Sequence, residues 1–304
     1  MMPRCWRPSI ILSMHRIIHI GLCLSLILAG SCACKSDKAP QPAVPVEKAY
    51  ELSVMSFNVR YLQGDAGTAN SWDHRKAGVM AMLRDKKPMV IGTQEGYVAQ
   101  IKDILKEAPA YGAYYVPRDG ENVDNETNGI LYLKDSIAVT YDRGTFWLSE
   151  TPAKRSMGWD AACSRICSWM KLYVKSSRQA FYVFNTHLDH VGEVARAEGL
   201  KLIWSRIREI NTEGLPVFLT GDFNTTIEDG IFKEIPYPSA RLAAPVTDQT
   251  PSYNGFGKGS AAIDHIFFDG MQAEVFETVD GKYGETDYIS DHYPVMCTFS
   301  YTVK

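Results

Sequence analysis

From Leu52 onward, short apolar runs alternate with amphipathic stretches along the chain. "ELSVMSFNVR" reads as a strand and stops at Asn58. "WDHRKAGVMAMLRDKKP" carries Ala77, Met80 and Leu83 at helical spacing and ends at Pro88. "MVIGTQE" predicts a second short strand closing on Gln94 and Glu95, and "VAQIKDILKEA" a second helix with Val98, Ile101 and Leu105 on one face. Residues 112–128 are polar and predict a loop, and "GILYLK" and "IAVTYDRGTFWLS" predict strands after it. A connector containing Gly and Trp leads to two more strands, "CSRICSWMKLYVK" and "QAFYVFNTHLDH". A long amphipathic helix then runs from Gly192 to about Asn211, with Leu200, Ile203, Ile207 and Ile210 as its inner stripe. "LPVFLTGDFN" predicts a short buried strand. A loop-rich region follows as far as the strand "AAIDHIFFDG", and "MQAEVFETV" and "YPVMCTFSYTV" close the chain. No short repeat and no second composition boundary interrupts this order, so residues 51–304 read as one α/β domain with abundant strands.

The first thirty-odd residues are a different material. "IIHIGLCLSLILAG" (17–30) is apolar, too short to span a bilayer comfortably, and preceded by Arg16 and other basic residues. It ends in "LAGSC", small residues running into Cys32. This resembles a bacterial lipoprotein signal, with residues 1–31 removed and Cys32 lipidated. Cys34 is the weaker acceptor, and an ordinary secretory signal with a chance cysteine is the alternative. The residues before Met14 are superfluous to such a signal, which makes Met14 a candidate start. The Pro- and charge-rich segment 32–50 suits a flexible tether. The expectation is an exported protein, lipid-anchored in the cell envelope on either membrane face.

Length and composition are those of a globular protein, with 45% hydrophobic and 22% charged residues in 304. The formal net charge is -3, and loss of Arg4, Arg7 and Arg16 with the leader leaves 29 basic against 35 acidic side chains. That balance argues against a protein that grips long nucleic acid by phosphate neutralisation alone. Export would permit disulfides, but only Cys163, Cys167 and Cys297 remain in the domain. Cys163 and Cys167 are four apart on a strand-like run, too distant to bridge, so buried thiols are expected.

The candidate chemistry lies where strands end. Asn58, Glu95, His187 with Asp189, Asp222 with Asn224, Asp264, and Asp291 with His292 each close a predicted strand or sit at its edge. Any one of them is ordinary turn punctuation. Together they are hard oxygen donors and two imidazoles that can converge on one end of a sheet core, a set suited to Mg2+, Mn2+ or Ca2+.

The ordered set "NVR", "QE", "NTHLDH", "GDFN", "IDHIF" and "SDHYPV" resembles the endonuclease/exonuclease/phosphatase superfamily, from about residue 52 to the C-terminus. The resemblance implies a four-layered α/β/β/α sandwich of two mixed β-sheets flanked by helices, as in deoxyribonuclease I. It also implies a divalent-metal-dependent hydrolase of phosphate esters, with Mg2+ foremost and Mn2+ or Ca2+ as alternatives. By this resemblance Glu95, with Asn58 beside it, is the principal metal ligand set, and Asp291 adds a carboxylate nearby. Asp222 would orient or deprotonate the attacking water, or hold a second metal. Asn224 would donate to a non-bridging phosphate oxygen, and His187 would hydrogen-bond the phosphate as charge builds. His292 would be the second imidazole, oriented by Asp264. Arg165 would add a guanidinium to the phosphate or, alternatively, serve as a structural ion pair. Arg60 and Asp189 are placed with Arg165 on the substrate side, each with a structural alternative.

Substrate class is less legible. A phosphodiester (nucleic acid, nucleotide or lipid headgroup) is expected first, and a phosphomonoester of a sugar or inositol second. A non-catalytic binding protein comes third, because no core position is missing. "AAIDHIFF" lacks the "CDR" sequence usual in inositol polyphosphate 5-phosphatases. The loop "QTPSYNGFGKGSA" either lines a specificity pocket or tucks Tyr253 and Phe256 inward. Nucleic acid enters only as a possible substrate, the membrane only through the anchor, and no protein partner is implied.

Overall fold

The computed structural model describes residues 48–120 and 123–303. The leader, Cys32 and nearly all of the tether lie outside the described residues. Eleven strands are present among those described. They are β1 (Ala49–Asn58), β2 (Val90–Tyr97), β3 (Tyr111–Tyr114), β4 (Glu126–Leu133), β5 (Ile137–Trp147), β6 (Ile166–Val174), β7 (Ala180–His187), β8 (Val217–Asp222), β9 (Asp264–Asp269), β10 (Gln272–Thr278) and β11 (Val295–Thr302). The helices are α1 (Trp72–Lys86), α2 (Val98–Glu107), α3 (Glu193–Ile210) and the single turn α4 (Ala240–Ala243), with a 3-10 turn at Gly230–Glu234.

One sheet has the order β10-β11-β1-β2-β4-β3 and the other β5-β6-β7-β8-β9. Both are mixed: β1 runs parallel to β2, β7 parallel to β8, and the remaining pairings are antiparallel. Side-chain alternation builds three apolar layers from these strands. Leu52, Val54 and Val90 of the first sheet meet Phe181, Val183, Phe218 and Ile266 of the second in the middle layer. Met55, Phe57 and Ile91 point the other way and pack with Val79, Met82 and Leu83 of α1 and Ile101 and Ile104 of α2. Tyr182, Phe184, Val217 and Leu219 likewise face Leu200, Ile203, Trp204 and Ile207 of α3. The result is the expected four-layered α/β/β/α sandwich.

Local differences have local causes. β3 occupies the start of the segment expected to be a loop; it is a four-residue edge strand held only through β4, too short to show a period. In α1 the buried face includes Trp72, Arg75, Val79 and Met82, whereas Ala77 is exposed. Met80 and Leu83 are buried as the apolar spacing predicts, while the buried Arg75 rather than Ala77 completes the face. Its guanidinium donates to Val59 O (3.0 Å), Asn70 O (2.6 Å) and Ile289 O (2.6 Å), tying the chain after β1 to the chain before β11. β1 begins at Ala49, so the last residues assigned to the tether are already in the sheet.

Candidate active site

At one end of the sandwich the middle layer changes from apolar to polar without changing parity. On β1 the series Leu52, Val54 continues as Ser56 and Asn58, and on β7 Phe181, Val183 continues as Asn185 and His187. On β8 Phe218 is followed on the same face by Thr220 and Asp222, and on β9 Ile266 is preceded by Asp264. Register puts His187 beside Asp222 and Asp222 beside Asp264. A belt of amides and hydroxyls lies beneath this row. Asn185 Oδ1 accepts from Gln94 Nε2 (2.7 Å) and Thr220 Oγ1 (3.0 Å), while its Nδ2 donates to Thr93 O (2.8 Å) and Gly129 O (2.9 Å). Only glycine fits at position 92, where a Cβ would stand 2.0 Å from Thr220 Oγ1.

Across the seam, Asn58 Nδ2 donates to Glu95 Oε1 and to Asp222 Oδ2, both at 2.9 Å. Asp222 Oδ2 lies 3.5 Å from His187 Nε2 and 3.7 Å from His292 Nε2, so one carboxylate oxygen sits between two imidazoles. His292 Nδ1 bonds Asp264 Oδ2 at 2.7 Å, which fixes the ring as the sequence implied. Burial opposes charge on His292, but Asp264 and Asp222 outweigh it and raise its pKa well above the ordinary range. His187 is driven the other way, by burial and by the neighbouring Arg165 and Arg118. One imidazole is therefore held cationic and the other neutral.

Asn224 Nδ2 gives its protons to His187 Nε2 (3.0 Å) and Leu188 O (3.0 Å), and its backbone N–H donates to Asp222 Oδ1 (2.9 Å). With Nε2 accepting, neutral His187 carries its proton on Nδ1. Both amide protons of Asn224 are thus engaged, and a phosphate oxygen arriving here would compete for them with His187 and Leu188. The backbone is strained at the same place. Asn224, Glu95 and Arg60 have φ of 51°, 62° and 61°, a left-handed region costly for residues other than glycine. At Glu95 this accompanies a break in the β2–β4 register between Thr93 and Gly96. Strict alternation would leave Glu95 on the helix side with Ile91; the bulge instead turns it to Asn58.

The expected substrate-side residues separate. Arg165 is buried and lines the cavity, donating Nε to Asp189 Oδ2 (3.2 Å) and Nη2 to His190 Nδ1 (3.0 Å). Asp189 is buried beneath it, not in the cavity wall. Its Oδ1 accepts backbone N–H groups of Ala162 (3.2 Å), Val191 (3.0 Å) and Gly192 (2.8 Å). Burial favours its protonated form, but these donors and Arg165 hold its pKa far below the carboxylate range. Asp189 is thus a brace for Arg165, correcting its assignment to the substrate. Arg60 reaches the cavity but is paired with Asp65 (2.8 Å) and Asp291 (3.2 Å). Asn58 is fully buried, and its Oδ1 accepts from Arg60 N at 3.0 Å, so in this arrangement it braces Glu95 and Asp222.

A cavity of about 480 Å³ is lined by Glu95, Asp222, Asn224, His187, His292 and Asp291, and also by Arg118, Glu126, Cys163, His190 and Tyr253. Sequence reasoning passed over Arg118 and Glu126, which lie before and at the start of β4 outside the motifs, and His190, the last residue of "NTHLDH", where His187 and Asp189 drew the notice. Tyr253 settles one open alternative: it lines the cavity with its ring 5.1 Å from that of His292, whereas Phe256 packs against Tyr288. All three domain cysteines are free, and Cys163 is half-buried at the cavity rather than in the core.

Glu95, His187 and Asp222 present potential ligand atoms within 4.8 Å of one another. Burial pushes up the pKa values of Asp222 and Asp291, the unrelieved negative charge that a hard divalent cation beside Glu95 would offset. The oxygen-rich donor set fits such a cation. The group Asp222, Asp264 and His292 is already joined by the His292–Asp264 bond.

A profile of the Endonuclease/Exonuclease/phosphatase family matches residues 55–292. Among solved structures, an endonuclease/exonuclease/phosphatase family protein of Bacteroides thetaiotaomicron is 29% identical, with a TM-score of 0.79 over 84% of this chain and all of its own. A mannosyl-6-phosphatase of the same organism is 30% identical, with a TM-score of 0.76, covering 81% of this chain and 98% of that one. Nocturnin of Drosophila melanogaster is 22% identical over 276 residues, and the match covers 76% of this chain but only 42% of that curated relative.

Proposed function

The chain belongs to the endonuclease/exonuclease/phosphatase family of phosphoesterases, and from that premise we propose that it hydrolyses a small phosphate ester with a bound divalent cation, Mg2+ foremost. The observation that carries this reading is the seam cluster, in which Asp222 Oδ2 stands between two imidazoles beside Glu95. The cation, held by Glu95 with Asp222 or Asp291, would supply Lewis-acid stabilisation of the charge that builds on the phosphate. Asp222 orients the attacking water and accepts its proton. His292, kept charged by Asp264, donates from Nε2 to a phosphoryl or leaving oxygen. Asn224 and Arg165 add donors to the non-bridging oxygens.

Between ester types, two observations favour the monoester that the sequence placed second. The mannosyl-6-phosphatase relative spans nearly its whole length with this chain. The cavity also holds Arg165, a guanidinium suited to a phosphate dianion. We further propose export and lipid anchoring at Cys32, supported by the apolar leader and the small residues before it.

The test compares hydrolysis of p-nitrophenyl phosphate with bis(p-nitrophenyl) phosphate, each with Mg2+, with chelator and with Asp222→Ala. The monoester is expected to turn over faster, with chelator abolishing activity and the substitution lowering kcat by about 10²- to 10⁴-fold. Preference for the diester would restore the phosphodiesterase expectation. Chelator-resistant turnover, or an Asp222→Ala variant of full activity, would sink the hydrolytic assignment of the seam.

A further inference from the structure

Part of the cavity wall is left unused by the hydrolytic chemistry. Arg118 precedes β4 and Glu126 opens it, and their side chains are only 17% and 14% exposed. Arg118 Nη1 donates to Glu126 Oε2 at 2.7 Å, and Arg118 N donates to Glu126 O at 2.9 Å. Trp147 Nε1 donates to Arg118 O at 2.8 Å, fixing the pair from behind. Glu126 lines the same cavity as Glu95 and Arg165. Among the described residues, no protein group hydrogen-bonds Glu126 Oε1 or Arg118 Nη2. His190 completes the set: its Nδ1 accepts from Arg165, so Nε2 carries the proton and is a donor.

One acceptor and two donors on the wall of a single cavity match hydroxyl groups, which donate and accept at once. A second phosphate or carboxylate would meet the Glu126 carboxylate, and an apolar group would leave buried polar atoms without partners. We propose that Arg118, Glu126 and His190 form a subsite for the hydroxyl groups of the alcohol part of the substrate, a hexose or similar polyol, and so set specificity. The inference rests on the phosphomonoesterase reading only in that the phosphate anchors the ligand alongside.

Two measurements test it. For D-mannose 6-phosphate, Glu126→Ala is expected to lower kcat/KM ten- to a hundredfold more than for p-nitrophenyl phosphate, whose leaving group has no further hydroxyl to bind; about this range follows from losing one hydrogen bond to a charged group. With chelator present to prevent turnover, calorimetry should find the unmodified protein binding D-mannose 6-phosphate at least ~10-fold tighter than inorganic phosphate. Glu126→Ala and the isosteric Glu126→Gln should each shrink that ratio. Equal losses on the two esters, an unchanged binding ratio in the variants, or no preference for the sugar ester in the unmodified protein would each overturn the subsite. If neither ester is hydrolysed while sugar-ester binding still depends on Glu126, the hydrolytic reading fails and the subsite stands.

Discussion

On β9, Asp264 holds His292 at the seam, while His265, one residue on, turns into the aromatic layer of Phe223, Phe232 and Phe267. Its Nε2 bonds Thr225 O at 3.0 Å, and burial pushes its pKa down to about 4. The unfolded chain therefore takes up a proton at His265 before the folded one does. The stability gained from keeping it neutral is whole above about pH 6.5 and lost as pH falls toward 4, ~3 kcal/mol in all. Urea unfolding at several pH values should give a steeper acid loss for the unmodified protein than for His265→Gln; equal slopes would refute this. The motif "IDH" exposed both residues to view, but only strand parity tells which of them serves the site and which the core.

The polar belt between the sheets depends on Asn185, whose amide meets four partners in both sheets. Asn185→Leu keeps similar bulk but strands the fully buried side chains of Gln94 and Thr220 and two carbonyls. A loss of about 3 kcal/mol or more is expected in denaturant unfolding, together with reduced activity as the ends of β2 and β7 lose register. A variant of unchanged stability would mean that the belt is dispensable. In the sequence, Asn185 is hidden within "FNTH", where only His187 draws notice, because a satisfied buried amide has no motif. Strand ends were legible because apolar runs stop abruptly at carboxylates and imidazoles. The bulge that turns Glu95 inward, the edge strand β3 and the Arg118–Glu126 pair were not, since each is defined by pairing between segments and leaves no periodicity in the local sequence.

For the molecule as a whole, the leader is a proposal that can be checked directly. Cys32→Ser, expressed in a bacterial host that lipidates its own exported proteins, should shift the protein from the membrane fraction to the soluble fraction, whereas Cys34→Ser should not. Retention of the Cys32→Ser variant on membranes would exclude anchoring there. The order of elements and the motifs from residue 55 to 292 already pointed to the family; the ester class did not show in them.

Asn58 and Glu95 come from one sheet and Asp222 from the other, joined by two 2.9 Å bonds through a single amide. Neither half of the sandwich therefore owns the chemistry. A chain with one sheet assembled and the other still unformed would lack a complete seam. The cluster is complete only when the last strands close the sandwich, so its assembly reports on the closure of the whole domain.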